Sequence, residues 1–139
     1  MRLSRRYRFC ASHRLHSDSL TEQENQDTYG KCNNPYGHGH DYVLDVTVSG
    51  KLNRVTGQVI SLAALDGLVY ESILQQMDHR NLNEEVAEFA NLVPTSENLA
   101  VVIEQRLKGK WDDRFSASGP RLHNVSLLET RRNRFDVNE

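Results

Sequence analysis

The spacing of apolar residues predicts an α+β fold: a four-stranded antiparallel sheet with two helices on one face, in the order β-β-α-α-β-β. Three observations carry that expectation. Residues 2–13 and 42–49 alternate apolar with polar side chains, the period of half-buried strands. Two central stretches, beginning at Ser61 and Pro94, repeat apolar residues every three or four positions, the period of a helix lying on a core. Two further strand patterns, at 122–129 and 134–137, close the chain.

In the first strand Leu3, Tyr7, Phe9, Ala11 and His13 share one face, and Arg6, Arg8 and Ser12 take the other. His13 continues an apolar face at the strand's end, and taken singly it reads as a core or rim histidine. Residues 15–31 turn polar and read as a loop with room for a short helical turn; long ordered loops are usually functional. His16 falls on that loop's surface. In the second strand Leu44, Val46 and Val48 alternate with Asp45, Thr47 and Ser49. Regular parity places His38 and His40 on the Leu44 face unless Gly39 or Asp41 sits in a bulge. Residues 50–57 are turn, and 58–60 a brief extended piece.

Ser61 caps the first helix, whose stripe is Leu62, Leu65, Val69, Ile73 and Met77. Gly67 inside it weakens the helix by about 1 kcal/mol. The stripe stops at Met77, so Asp78 and His79 fall where the helix ends. Residues 84–93 read as an irregular connection. Thr95 or Ser96 caps the second helix, and Glu97 complements its dipole. Leu99, Val102, Ile103 and Leu107 form its buried stripe, Gly109 ends it, and 111–120 is loop. Leu122, Val125, Leu127 and Leu128 make the third strand, which ends at Glu129. The basic run Arg131, Arg132, Arg134 is a solvated turn into the fourth. Four strands leave two open edges, and open edges invite pairing with another subunit, so a closed oligomer is expected.

A chain of 139 residues suits one domain, spanning 1–139. With 37% apolar and 26% charged residues it has the make-up of a soluble globular protein. No apolar run approaches the ~20 residues of a membrane helix, and the basic N-terminus has no apolar segment behind it. A cytoplasmic location is therefore expected, without membrane contact. Two cysteines, Cys10 and Cys32, fit a reducing compartment. A net charge of −2 gives no footprint for nucleic acid.

The chemistry concentrates at Cys32-Asn-Asn-Pro-Tyr-Gly-His-Gly-His40. In an extended backbone His38 and His40 point the same way, about 7 Å apart. Alone, that pair reads as two exposed histidines. With His13 on a neighbouring strand it becomes three imidazoles, the ligand count of a catalytic zinc with an open fourth position. Imidazole also suits copper, iron and nickel. Cys32 either closes the site as a fourth ligand or stays free as a base, its pKa lowered from about 8.5 by a nearby cation. Asp78-His79 is either a turn after a helix or a carboxylate-oriented histidine serving that thiol. Glu129 is either an exposed strand end or a carboxylate whose two oxygens take the paired N–H groups of a pterin or guanine.

Five segments in order resemble the 6-pyruvoyltetrahydropterin synthase family over nearly the whole chain: Phe9-Cys-Ala-Ser-His13, Gly30-Lys-Cys-Asn-Asn-Pro-Tyr-Gly-His-Gly-His40, Asp78-His-Arg-Asn-Leu82, Pro94-Thr-Ser-Glu-Asn98 and Glu129-Thr130. The resemblance implies a tunnelling fold, with subunits joined into a trimeric barrel and two trimers stacked as a hexamer. It implies His13, His38 and His40 as zinc ligands and Cys32 as the proton-abstracting base. Asp78 and His79 would complete the catalytic group from an adjacent subunit. Glu129 would anchor the pterin ring, with Thr95 and Ser96 lining its pocket. The implied lyase reaction, a step of tetrahydrobiopterin biosynthesis, converts 7,8-dihydroneopterin triphosphate to 6-pyruvoyltetrahydropterin and triphosphate. Related 6-carboxytetrahydropterin synthases of the queuosine pathway typically place their cysteine closer to the histidine pair. The wider spacing here, with Asn-Asn-Pro between, resembles the pyruvoyl-forming type. A reading from another class is a non-catalytic oligomer in which Cys32 and the three histidines close a structural zinc site.

Overall fold

A computed structural model describes residues 1–138. Strands β1 (Arg2–His13) and β2 (His38–Ser49) pair antiparallel in unbroken register from Arg2↔Ser49 to His13↔His38. β2 pairs with β4 (Arg121–Leu128), and β4 with β5 (Arg134–Asn138). A two-residue strand, β3 (Arg80–Asn81), lies parallel to β1 beside Ala11 and Ser12. The sheet order is β3-β1-β2-β4-β5. The sheet therefore has five strands rather than four, and one pairing is parallel. β3 is too short to carry an alternating pattern. It exists because the chain leaving the helix runs along β1, where the His79 N–H donates to the Cys10 carbonyl at 2.6 Å.

With no bulge between β1 and β2, side-chain parity runs through to the strand ends. His13, His38 and His40 thus belong to the face of Ala11 and Leu44.

Ser61 caps α2 (Leu62–Val69), its hydroxyl accepting from the Ala64 N–H. The helix continues through a π turn (Tyr70–Leu74) into α3 (Gln75–Met77), ending where the apolar stripe ends. Thr95, not Ser96, caps α5 (Ser96–Arg114), accepting from the Asn98 N–H at 3.1 Å. This helix runs through Gly109 instead of stopping there, so 111–114 is helix rather than loop. Trp111 is buried, and its indole N–H donates to the Pro120 carbonyl at 2.9 Å. The polar stretch 15–31 is not all loop either. It holds α1 (Glu22–Tyr29), begun by a capping box in which Thr21 and Glu24 bond each other's backbone N–H. The connection after His79 is likewise ordered, as α4 (Leu82–Glu85) and a 3-10 turn at Ala87–Ala90.

The core lies between one sheet face and the two long helices. Phe9, Tyr42, Leu44, Val46, Val125 and Leu127 meet Leu65, Leu68, Ile73, Leu99, Ile103 and Leu107. Arg5 and Tyr7 tie β1 to α2, both bonding Asp66 at 2.7 Å. The opposite sheet face is polar, with Ser4 bonded to Thr47 and Arg6 forked onto Asp45. No helix of the described residues is long and apolar enough to cross a membrane.

Candidate functional site

The site forms where β1 ends and β2 begins. His13, fully buried, has its Nδ1 2.8 Å from the Pro94 carbonyl oxygen, which can only accept, so Nδ1 carries the proton. Nε2 therefore holds a lone pair, and it is buried with no hydrogen-bond partner. Burial, reinforced by the neighbouring His40, pushes the His13 pKa down and keeps the ring neutral. A neutral imidazole fixed through Nδ1–H to a carbonyl is how a metal-ligating histidine is prepared. Left unpaired, a buried polar atom is destabilising. A cation is the partner this donor chemistry fits.

His40 follows on the adjacent strand, its ring 4.8 Å from that of His13 and 4.6 Å from that of His38, both edge-on. Burial lowers its pKa, against the opposing Glu129 charge. Its Nε2 is 3.1 Å from Glu129 Oε1 and 3.9 Å from Cys32 Sγ. The donor atoms of His13, Cys32, His40 and Glu129 all lie within 4.8 Å of one another. His38 stands just outside this set, exposed, and lines a groove of about 800 Å³ together with Arg14, His16 and Lys31.

Local backbone geometry delivers these groups. A 3-10 turn at Gly30–Asn33 carries Cys32, whose carbonyl accepts the Leu15 N–H at 2.8 Å. Gly37 has φ +84°, and a Cβ there would meet the His13 carbonyl oxygen at 3.3 Å, so the turn into His38 requires glycine. Burial, then the Glu129 charge, raise the Cys32 thiol pKa.

Glu129, one residue beyond β4, is not an exposed strand end: its side chain is 17% exposed. Its second oxygen accepts the buried Ser96 hydroxyl at 2.5 Å. Thr95 spends its hydroxyl on the helix cap.

Asp78 and His79 are not brought to Cys32 within one chain. They sit at the outer edge of β1, beside Cys10, whose side chain faces away from His13 by strand parity. Asp78 Oδ1 accepts the Cys10 N–H at 2.9 Å and lies 3.1 Å from His79 Nδ1. His79 is the one non-glycine residue with positive φ, +59°, among the described residues. Such strain concentrates at functional positions. Cys10 was not singled out by sequence reasoning. The available signal is its even position in β1, which puts it opposite the histidine face and in register with Asp41.

The family model for 6-pyruvoyl tetrahydropterin synthase matches residues 2–139. The 6-pyruvoyl tetrahydrobiopterin synthase of Poecilia reticulata is 46% identical over 126 residues, covering 90% of this chain and 81% of that one. The Homo sapiens protein of the same name is 49% identical over 106 residues, covering 76% of this chain and 73% of its own. A solved structure of Caenorhabditis elegans 6-pyruvoyl tetrahydropterin synthase matches with a TM-score of 0.87 at 38% identity, covering 100% of this chain and 95% of that one. On this evidence of sequence and shape together, the chain belongs to the 6-pyruvoyl tetrahydropterin synthase family.

Proposed function

We propose that the protein is a zinc-dependent 6-pyruvoyltetrahydropterin synthase. It converts 7,8-dihydroneopterin triphosphate to 6-pyruvoyltetrahydropterin and triphosphate, in the cytoplasm, as a hexamer of two stacked trimers. The observation that carries this reading is the buried, unpartnered Nε2 of His13, facing His40, Cys32 and Glu129. His13, His38 and His40 hold the ion. When bound, zinc supplies Lewis acidity to the substrate's side-chain oxygens and a positive field that favours a nearby thiolate.

The remaining work falls to the chain's own groups. Glu129, steadied by Ser96, offers two carboxylate oxygens to the paired N–H groups of the pterin ring, a bidentate fit. Thr95 holds the start of α5 in place, and with it Ser96. Cys32 takes a proton from a side-chain carbon, so its raised pKa has to be offset by positive charge. His79 exchanges protons with that thiol, and Asp78 orients the ring. The dyad directly precedes the edge strand β3, where a neighbouring copy would pair, and serves that copy's Cys32. The side chain becomes a diketone with a methyl end as triphosphate leaves, while the ring passes from dihydro to tetrahydro. Electrons balance inside the substrate, so no external redox cofactor is needed.

Incubation of the purified protein with 7,8-dihydroneopterin triphosphate, followed by product identification, tests this. A pyruvoyl side chain with released triphosphate is expected. A carboxyl group with released acetaldehyde would indicate a 6-carboxytetrahydropterin synthase instead, and no conversion would overturn the enzyme reading. One observation favours a second, non-catalytic reading: Cys32 belongs to the close donor set. If Cys32 of zinc-loaded protein alkylates only after chelation, it is a fourth ligand of a closed structural site. Ready alkylation with zinc in place is expected.

A further inference from the structure

We propose that Cys10, Asp78 and His79 form a second cation site, selective for thiophilic divalent ions, whose occupation stops turnover by engaging the His79 imidazole. Their donor atoms lie within 4.8 Å of one another, on the sheet face away from His13. The set combines one soft sulfur, one imidazole nitrogen and one carboxylate oxygen, a mixture suited to zinc or cadmium and poorly suited to magnesium or calcium.

Three features fix the geometry before any ion arrives. The Asp78 carboxylate accepts the Cys10 N–H at 2.9 Å. The Cys10 carbonyl accepts the His79 N–H at 2.6 Å. The Cys10 thiol donates to Asp41 Oδ1 at 2.6 Å, so the sulfur has its own outer partner. All three hold groups in place relative to the β1 backbone. In the single chain Cys10 and His79 line a hollow of about 560 Å³ together with Asp41 and Arg80, and His79 is 80% exposed. Arg80, the one arginine in that lining, is paired with Glu85 at 3.4 Å.

On binding, the S–H bond breaks and its proton passes by way of Asp41 to solvent. The sulfur pair and one Asp78 oxygen pair are donated to the ion, balancing its two charges, while neutral His79 gives a ring-nitrogen pair. No oxidation or reduction occurs. The loss of turnover rests on the role of His79 proposed above; the binding itself does not.

Cadmium added to the zinc-loaded protein is the probe, read by thiolate-to-cadmium charge-transfer absorbance and by turnover. The absorbance is expected in wild type and in Cys32→Ser alike. In Cys10→Ser, and in Cys10→Ala as a second variant, the cadmium needed should rise by at least the roughly 10- to 100-fold that outer-shell changes alone cost. Those Cys10 variants should keep basal turnover and resist cadmium. Absorbance that survives loss of Cys10, or vanishes with Cys32→Ser, would place the ion elsewhere and overturn the proposal. Cadmium bound at Cys10 in a wild-type enzyme that still turns over would overturn its inhibitory half. Protein with no turnover in any form would sink the function proposed above and leave the absorbance test of this site in force.

Discussion

His13 shows at a single ring how a histidine is prepared for a ligand: one nitrogen is tied to the Pro94 carbonyl and the other is buried without a partner. Ser96 does comparable work for Glu129, donating to one oxygen of a carboxylate that would otherwise be half satisfied. Hydrogen bonds to charged groups contribute ~1.5–3 kcal/mol. Ser96→Ala should therefore raise the KM for the pterin substrate about tenfold or more, at ~1.4 kcal/mol per tenfold, with zinc content unchanged. An unchanged KM would mean that Glu129 does not depend on Ser96. His13 and the His38–His40 pair were legible in the sequence because strand parity survives from Phe9 to His13 and from Leu44 back to His38. The meeting of Cys10 with Asp78 and His79 was not. Their proximity depends on how the chain passes from α3 into β3, and no local periodicity encodes that passage.

Among the elements, α5 and α1 show which signals a sequence carries openly. Gly109 looked like a helix end, yet α5 continues because Leu99, Ile103, Leu107 and Trp111 recur every four residues and all are buried. That burial outweighs the ~1 kcal/mol a helical glycine costs. In α1 the one buried residue is Asn25, so no apolar stripe announces the helix; only the Thr21 and Glu24 pattern does. Thr95 was legible as a cap, and Thr95→Ala should lower stability by ~1 kcal/mol in denaturant titration. No change would remove its capping role. Between β1 and α2, the Arg5 guanidinium holds the Asp66 carboxyl below its ordinary value. A depressed folded-state pKa stabilises above the unfolded value of about 3.9 and loses that contribution as pH falls through and below it. Wild-type stability should thus decline more steeply than that of Asp66→Asn from about pH 4 downward. Parallel acid profiles would contradict this.

For the whole molecule, the sheet explains why one chain does not complete the proposed site. The histidines and Cys32 lie on the core side of β1 and β2, and Asp78 with His79 sits at the β3 edge beside Cys10. The helices cover one face, which leaves β3 and β5 as the edges at which copies can meet. If dyad and thiol come from adjacent copies, mixing inactive Cys32→Ala with inactive His79→Ala subunits, after dissociation and reassembly, should restore part of the activity. Mixtures that stay inactive would place both groups in a single chain's site.

The central claim is that three imidazoles hold the ion while the thiol remains free to move protons. The most direct measurement is zinc content together with turnover in Cys32→Ala. Zinc retained as in wild type, with turnover lost, is the predicted result; zinc lost along with turnover would contradict it and make Cys32 a ligand.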